Sequence, residues 1–274
     1  MIDQRLGVKR DGGRTMVETA IVGIDCATDD AKVGLALAHA GPKNCVVRFA
    51  GVCSSEQKVA EQVAAWLSGS ARVLIALDAP LGWPRSLGKA LAAHRAGEPL
   101  TVAANNLFRR LTDRLVKKRI GKQSLDVGAD RIARTAHAAL KLLADVRQTT
   151  ALTIPMAWEP SYSDRVAAIE VYPAATLVAH GIPDRGYKKP DRSADRKAIL
   201  GCLEHLIQLP DSRLAMERNA DALDAAVCVL AGFDFLRGAA HKPDDAELTL
   251  ARYEGWIWVR QVELPLLPTS STAI

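Results

Sequence analysis

The sequence predicts an α/β fold: a mixed β-sheet that starts as an antiparallel meander and continues with parallel strands, with helices on both faces and a helical insertion. Short strand-like segments follow one another at 20–24, 32–38 and 45–52, and turn residues separate the last two. A helical pattern then precedes a second apolar strand at 73–77, which is the order that a parallel crossover needs. A third apolar strand follows at 166–173.

The first strand ends on a carboxylate. Residues 20–24 form a continuous apolar run without alternation, as expected of a strand buried on both faces, and Asp25 follows directly. A buried charge needs a partner such as a metal, a cation or several hydrogen-bond donors. Taken alone, Asp25 is equally well explained as a turn residue after a core strand. The pattern recurs, however, because Asp78 follows the second apolar strand and Glu170 lies on the third.

A late alanine-rich helix at 219–232 adds two more carboxylates. Asp221 and Asp224 are three residues apart near its start, so they share one face. Acidic residues in a first turn also interact favourably with the helix dipole, by about 0.3–1 kcal/mol, and this alone could account for both. Acids that end neighbouring strands, by contrast, would converge on one edge of the sheet. The candidate catalytic residues are Asp25, Asp78, Glu170, Asp221 and Asp224.

Several carboxylates at one edge of a sheet require compensation. Two of them about 4 Å apart repel each other by roughly 1–4 kcal/mol, depending on the local dielectric. A divalent cation keeps such a group ionised, and without one some members take up protons. Ligation by oxygen alone favours Mg²⁺ or Mn²⁺ over zinc. Two such ions can activate a water molecule and stabilise the leaving oxygen of a phosphodiester.

Residues 85–164 interrupt the alternation of strands and helices, and we expect a mostly helical insertion over the acidic edge. Its most basic part is the run 109–122, with seven basic residues and Asp113 as its one acidic residue. Such a run usually solvates a helix face, with Arg110 and Arg114 pointing to water. The alternative hypothesis is a phosphate-binding surface. Under that hypothesis the substrate-binding residues are Arg109, Arg110, Asp113 and Lys188.

The chain fits one domain with short flanking segments. Its 274 residues suffice for one large α/β domain or two small ones, and we assign 18–262 to a single domain. The polar, glycine-bearing residues 1–17 are predicted to be a disordered extension, and 263–274 a tail. A closing strand is expected at 254–259.

The composition indicates the cellular compartment of the protein and the classes of partner that it could bind. Five scattered cysteines without a C-x-x-C pair indicate reduced thiols in a cytoplasmic protein, and predict neither a zinc site nor a disulfide framework. No apolar run reaches the roughly 18 residues that a membrane span needs, so no membrane partner is expected. The net charge of +5 is compatible with a nucleic-acid partner without requiring one. Nothing in the sequence specifies an oligomeric state.

The order of these features resembles the ribonuclease H-like superfamily, which has an acid on the first strand, a meander, a helix, an acid on the fourth strand and paired acids on a late helix. Residues 221–226 are similar to the terminal helix of its Holliday-junction resolvase branch. Six short motifs resemble, in order, the domain-of-unknown-function 429 family, whose members are described as predicted ribonuclease H-like nucleases. These motifs lie at 23–27, 77–84, 110–113, 170–175, 187–188 and 254–257.

The resemblance implies a divalent-metal-dependent nuclease, a hydrolase that cleaves phosphodiester bonds by a two-metal carboxylate mechanism. It implies that Asp25 bridges the metal ions. Further ligands would be Asp78, Asp221 and Asp224, and Glu170 matches one of the family motifs. The resolvases carry a glutamate on the fourth strand, and Asp78 is one methylene shorter, which changes the expected metal spacing.

Two other classes of protein stay open. Sugar-kinase and actin-like ATPases share the fold and begin with a similar Gly-Ile-Asp strand, but these phosphotransferases need further glycine-rich phosphate loops. Here the meander contains only Gly34 and Gly41, and the later candidate, 126–130, lies in the insertion. The third class is a non-catalytic nucleic-acid-binding domain with a vestigial acid cluster. The sequence has no Walker loop, Gly-x-Ser-x-Gly elbow or His-Glu-x-x-His helix, which excludes the commoner α/β enzymes.

Overall fold

A five-stranded mixed sheet forms the centre of the molecule. The computed structural model describes residues 18–54, 57–128 and 130–262, and the expected extension at 1–17 and tail at 263–274 lie outside these residues. The strands are β1 (Thr19–Asp25), β2 (Gly34–Ala40), β3 (Cys45–Val52), β4 (Val73–Asp78) and β5 (Val166–Glu170).

The strand pairing confirms the predicted fold class. The strands lie in the order β3-β2-β1-β4-β5. β2 pairs antiparallel with β1 and β3, whereas β4 pairs parallel with β1 and β5. The inner strands β1 and β4 are buried up to their last residues, Asp25 and Asp78, because helices cover both of their faces.

The helices of the described chain cover the two faces of the sheet and its carboxyl edge. They are α1 (Val59–Ser68), α2 (Arg85–Leu91), α3 (Ala104–Phe108), α4 (Leu111–Ile120), α5 (Asp130–Thr150), α6 (Pro173–Ala179), α7 (Ser193–Leu203), α8 (Leu214–Arg218), α9 (Ala220–Leu236) and α10 (Asp245–Glu254), and a 3-10 turn spans Asp30–Lys32. On one face, α1 and α5 pack together and bury Val63 and Leu143 against Val22 of the sheet. On the other face, α9 lies across β1, β2 and β3 and contributes Leu223 and Val227 to the core.

The segment predicted as a helical insertion, 85–164, has two parts in the structure. α5 covers the same face of the sheet as α1 and connects the parallel strands β4 and β5 along the chain. α4 packs instead against α6 and α10. Arg110, which directly precedes α4, contacts Glu170 at the carboxyl end of β5. The basic run therefore lies beside the acidic edge of the sheet.

The closing strand predicted at 254–259 is wrong. Glu254 is the last residue of α10, and Gly255, with a φ of 86°, follows it. Beyond that point the chain forms isolated bridges instead of a ladder. The apolar pattern that suggested a strand reflects burial alone, because Trp256 and Trp258 are core residues.

Candidate metal centre

Strand register brings two carboxylates together at the carboxyl edge of the sheet. β1 and β4 run parallel, and their register pairs Asp25 with Asp78. Each aspartate is the last residue of a strand whose preceding residues are buried, so the two carboxylates emerge side by side where the sheet ends. A slip of one residue in either strand would turn its carboxylate to the opposite face.

Close packing of α9 on the sheet supplies the third carboxylate. Asn219 caps the helix, and its side-chain oxygen accepts hydrogen bonds from the first backbone N–H groups. Gly34 on β2 lets the first turn approach the sheet, because a Cβ atom there would overlap the backbone oxygen of Asp221. Gly23 on β1 has the same role one turn later, against the backbone oxygen of Ala225. The helix therefore lies close enough for Asp224 to reach the strand ends.

Asp25, Asp78 and Asp224 form one group, which we call the acidic cluster. Each offers one carboxylate oxygen, and these oxygens all lie within 4.8 Å of one another. Asp224 is fully buried and the other two are half-buried. Like charges this close together, with little access to water, make ionisation of all three unfavourable.

Two members of the acidic cluster, Asp25 and Asp78, hold protons more tightly than isolated aspartates do. Burial raises the pKa of Asp25 well above its usual range, and the charges of Asp78 and Asp224 raise it further. Burial also raises the pKa of Asp78 to about 7, although the Lys188 ammonium opposes that change. Without a further cation, the cluster is therefore partly protonated at pH values where ordinary aspartates are ionised.

Two adjacent side chains, Tyr187 and Lys188, contact Asp224 from the loop before α7. The Tyr187 hydroxyl donates a 2.6 Å hydrogen bond to Oδ1 of Asp224. The Lys188 Nζ lies 2.6 Å from Oδ2. Burial would lower the pKa of Lys188, but the three carboxylates of the acidic cluster outweigh burial and raise it, so the ammonium stays charged. Burial and the charge of Asp224 raise the pKa of Tyr187, so its hydroxyl stays a donor.

The acidic cluster is suited to a divalent metal ion. Its donors are all carboxylate oxygens, which are the ligands that Mg²⁺ and Mn²⁺ prefer. The Oδ2 of Asp224 is buried, and the Lys188 ammonium 2.6 Å away is the cation beside it. Three carboxylates and one ammonium leave an excess of negative charge when all are ionised. A divalent cation would balance that excess.

The structure places the two other candidate acids outside this group. Asp221 lies one turn before Asp224 on α9, and it is not among the described acids whose oxygens meet within 4.8 Å. Its charge nevertheless contributes to the raised pKa of Asp25, so it lies near the cluster. Glu170 is buried, and both of its carboxylate oxygens accept hydrogen bonds from Arg110. The backbone N–H of Leu81 also donates to Glu170.

Arg110 is the centre of a second charged group, the arginine network, which consists of Arg110, Asp113 and Glu170. The guanidinium donates five hydrogen bonds, to the two carboxylates and to the backbone oxygen of Glu254. Arg110 is 1% exposed and Asp113 is fully buried. These hydrogen bonds and the burial give Arg110 and Asp113 a structural role, and contact with a substrate stays a prediction. The alternative that Arg110 points to water is wrong, because its side chain is buried.

The other expected substrate-binding residues differ in position. Lys188 contacts the acidic cluster, and 58% of its side chain is exposed, so it connects the cluster to the surface. Arg109 donates hydrogen bonds to Asp126 and Asn105 within the insertion. Its side chain is 32% exposed, so this ion pair lies near the surface.

Sequence analysis did not identify Tyr187 as a site residue, although the structure gives it a direct contact with Asp224. The available signal was its position beside Lys188 in one of the six short motifs. Its ring is 1% exposed, so the residue also packs in the core, and core packing alone would explain an aromatic residue there.

The fold and the site define an α/β protein with a five-stranded mixed sheet and a group of acids at the carboxyl edge of that sheet. A family model matches residues 18–248, and the chain belongs to that family, which is described as a protein of unknown function (DUF429). This confirms the family that the sequence motifs suggested.

Among solved structures, the chain is similar to T. thermophilus RuvC in complex with a Holliday junction substrate. The sequence identity is 12%, the match covers 78% of this chain and 96% of that chain, and the TM-score is 0.27. No curated protein matches the sequence. None of the helices in the described part of the chain combines the length and the apolar character that a membrane span requires.

Proposed function

We propose that this protein is a divalent-metal-dependent nuclease that hydrolyses phosphodiester bonds. The observation that carries the proposal is the convergence of Asp25, Asp78 and Asp224 from three separate elements of the fold. Gathering these carboxylates opposes folding, because each loses hydration and repels the others. Groups of acids with raised pKa values are typical of functional sites, where a bound ligand compensates for that repulsion.

Asp25, Asp78 and Asp224 are the proposed ligands of Mg²⁺ or Mn²⁺. Such ions, when bound, activate water and stabilise the charge that develops on a phosphate. The chain itself supplies position: strand register holds Asp25 beside Asp78, and the Tyr187 hydroxyl fixes the carboxylate of Asp224. Asp221, one turn away on the same helix, is the next available donor for a second ion.

Lys188 is the proposed phosphate contact. An acidic pocket repels a polyanion unless nearby cations offset its charge. The Lys188 ammonium lies against Asp224, and the side chain is more than half exposed, so one cation faces both the acidic cluster and an approaching phosphate. A lysine ammonium acts as a point charge and needs no fixed geometry for this contact. Nucleic acid is accordingly the proposed partner.

A metal-dependent cleavage screen tests this proposal. Single-stranded, duplex, hybrid and branched nucleic acids would be incubated with the full chain in Mg²⁺, Mn²⁺ or EDTA, and ATP hydrolysis would be followed in parallel. We expect cleavage that requires metal, is lost in Asp25→Asn and is retained in Asp211→Asn, which changes an exposed acid. No metal-dependent cleavage of any nucleic acid would contradict the proposal, and ATP hydrolysis alone would favour the phosphotransferase alternative.

A further inference from the structure

A cavity of about 400 Å³ opens beside the acidic cluster. Asp78 and Lys188 belong to its lining, so the cavity adjoins the proposed metal centre. The three residues of the arginine network line it as well. A volume of this size is typical of pockets that enclose a small organic ligand. Metal ions and a phosphate at the acidic cluster would leave this space unfilled.

Apolar side chains form much of the cavity wall. Pro80, Leu125, Ile132, Tyr172 and Ile257 line it, and they come from separate parts of the chain. Polar groups are also present, because the Ser124 hydroxyl and the ion pair of Lys122 with Asp184 belong to the same lining. A compact, flat group could thus place its faces against the apolar side chains and its edges against the polar groups.

The arginine network holds this wall in place. Ser124 Oγ donates a 3.0 Å hydrogen bond to Asp113, which ties the segment after α4 to the network. The Tyr172 hydroxyl donates to the backbone oxygen of Gln123, at 3.3 Å, from the residue that caps α6. The buried Arg110 motif therefore shapes a cavity next to the acidic cluster, although Arg110 itself has no hydrogen-bond donor left for a phosphate.

We infer that this cavity binds one unpaired nucleobase, carried by the nucleotide whose phosphate lies at the acidic cluster. The inference rests on the proposed function, which places that phosphate beside Asp78 and Lys188. A base in a duplex is stacked and paired, so it could enter only after flipping out of the helix. A base in a single strand or at an unpaired position is already free. Stacking on an aromatic ring such as that of Tyr172 accepts every base, so the substrate class is unpaired nucleic acid of broad sequence.

Calorimetric titration with adenosine 5′-monophosphate and ribose 5-phosphate tests the inference, because the two probes differ only by the base. Each would be titrated in Mn²⁺ and in EDTA. We expect the nucleotide to bind at least about tenfold more tightly, as base stacking predicts. Ile132→Trp, which fills the cavity, should abolish this difference and leave the Mn²⁺ affinity unchanged. Leu214→Trp, which enlarges an exposed side chain on α8, should leave both unchanged.

Equal affinities for the two probes, or no measurable binding of the nucleotide, would overturn the inference. A base preference that survives in Ile132→Trp would also overturn it, and Leu125→Trp provides a second filling variant if Ile132→Trp does not fold. Failure of the proposed function gives a different result: Mn²⁺ binds wild type and Asp25→Asn equally, while the base preference persists in EDTA. Mn²⁺ titrations of the same samples therefore separate the two failures.

Discussion

The arginine network and the acidic cluster lie side by side at the carboxyl edge of the sheet, and they bury charge in opposite ways. In the arginine network every carboxylate oxygen of Asp113 and Glu170 accepts at least one hydrogen bond. In the acidic cluster, by contrast, oxygens of three carboxylates lie within 4.8 Å of one another and face the Lys188 ammonium. The arginine network satisfies its own carboxylates with hydrogen bonds, whereas the acidic cluster brings like charges together.

This difference separates charge that maintains the fold from charge that is available to a ligand. The carboxylates of Glu170 and Asp113 raise the pKa of Arg110 although burial would lower it, so the guanidinium stays charged. Burial raises the pKa of Glu170, but the charge and the hydrogen bonds of Arg110 oppose that change. At Asp25 and Asp78, neighbouring carboxylates raise the pKa in addition to burial. Removing a charge should therefore have opposite effects in the two groups.

The largest expected effect comes from breaking the arginine network. Arg110→Met leaves two buried carboxylates without their cation, and we expect a loss of about 3–5 kcal/mol in the free energy of unfolding. Arg109→Met is the matched control. It removes an ion pair near the surface and should cost no more than about 1 kcal/mol. Urea denaturation of the two variants checks this, and similar midpoints for both would show that the network is not structural.

Removing a carboxylate charge from the acidic cluster should have a different effect. The variant should keep its fold and bind metal more weakly. We expect Asp25→Asn to bind Mn²⁺ roughly 100-fold more weakly, since even a residue behind a metal ligand contributes about 10–100-fold. Without metal, the variant should be at least as stable as wild type, because like-charge repulsion is relieved. Calorimetry with Mn²⁺ and thermal melts in EDTA measure the two effects. Asp211→Asn serves as the control, and equal Mn²⁺ affinity in wild type and Asp25→Asn would count against the site.

A smaller effect is expected from Tyr187→Phe, which removes the hydroxyl that orients Asp224. The carboxylate keeps its charge but loses a hydrogen bond, so Mn²⁺ affinity should fall by about tenfold. Tyr253→Phe is the control, because Tyr253 is 61% exposed and lies outside the acidic cluster. If Tyr187→Phe and Tyr253→Phe bind Mn²⁺ equally well, Tyr187 only packs in the core.

The sequence predicts those features that short local patterns encode. The apolar runs 20–24 and 73–77 identify the two inner strands, and each is followed by an aspartate. The turn of a helix then places Asp224 on a face shared with Asp221. Each of these inferences needs only the neighbours of a residue along the chain. The sheet is parallel where these strands meet, so its register brings the aspartates together.

The features that could not be predicted depend on contacts between distant positions. Arg110 meets Glu170 across 60 residues of sequence, and Tyr187 meets Asp224 across 37. A basic run such as 109–122 has the same composition whether its arginines face solvent, phosphate or a buried carboxylate. Trp256 and Trp258 belong to a short apolar run typical of a buried strand, yet their burial comes from packing rather than from a ladder.

The smallest expected effect is a pH dependence that belongs to the acidic cluster alone. The folded-state pKa values of Asp25 and Asp78 lie above the ordinary value of 3.8, and that of Asp78 is about 7. Between about pH 4 and pH 7 the folded protein therefore binds more protons than the unfolded chain, so its stability falls as the pH rises.

In EDTA we expect wild type to lose on the order of 1 kcal/mol relative to Asp78→Asn between pH 5 and pH 8. Mn²⁺ should restore this stability at pH 8 and have little effect at pH 5, because protons compete with metal for the carboxylates. Thermal melts of both proteins at the two pH values, with and without Mn²⁺, measure it. If the stability of wild type in EDTA changes with pH just as that of Asp78→Asn does, ionisation of Asp78 does not destabilise the folded protein.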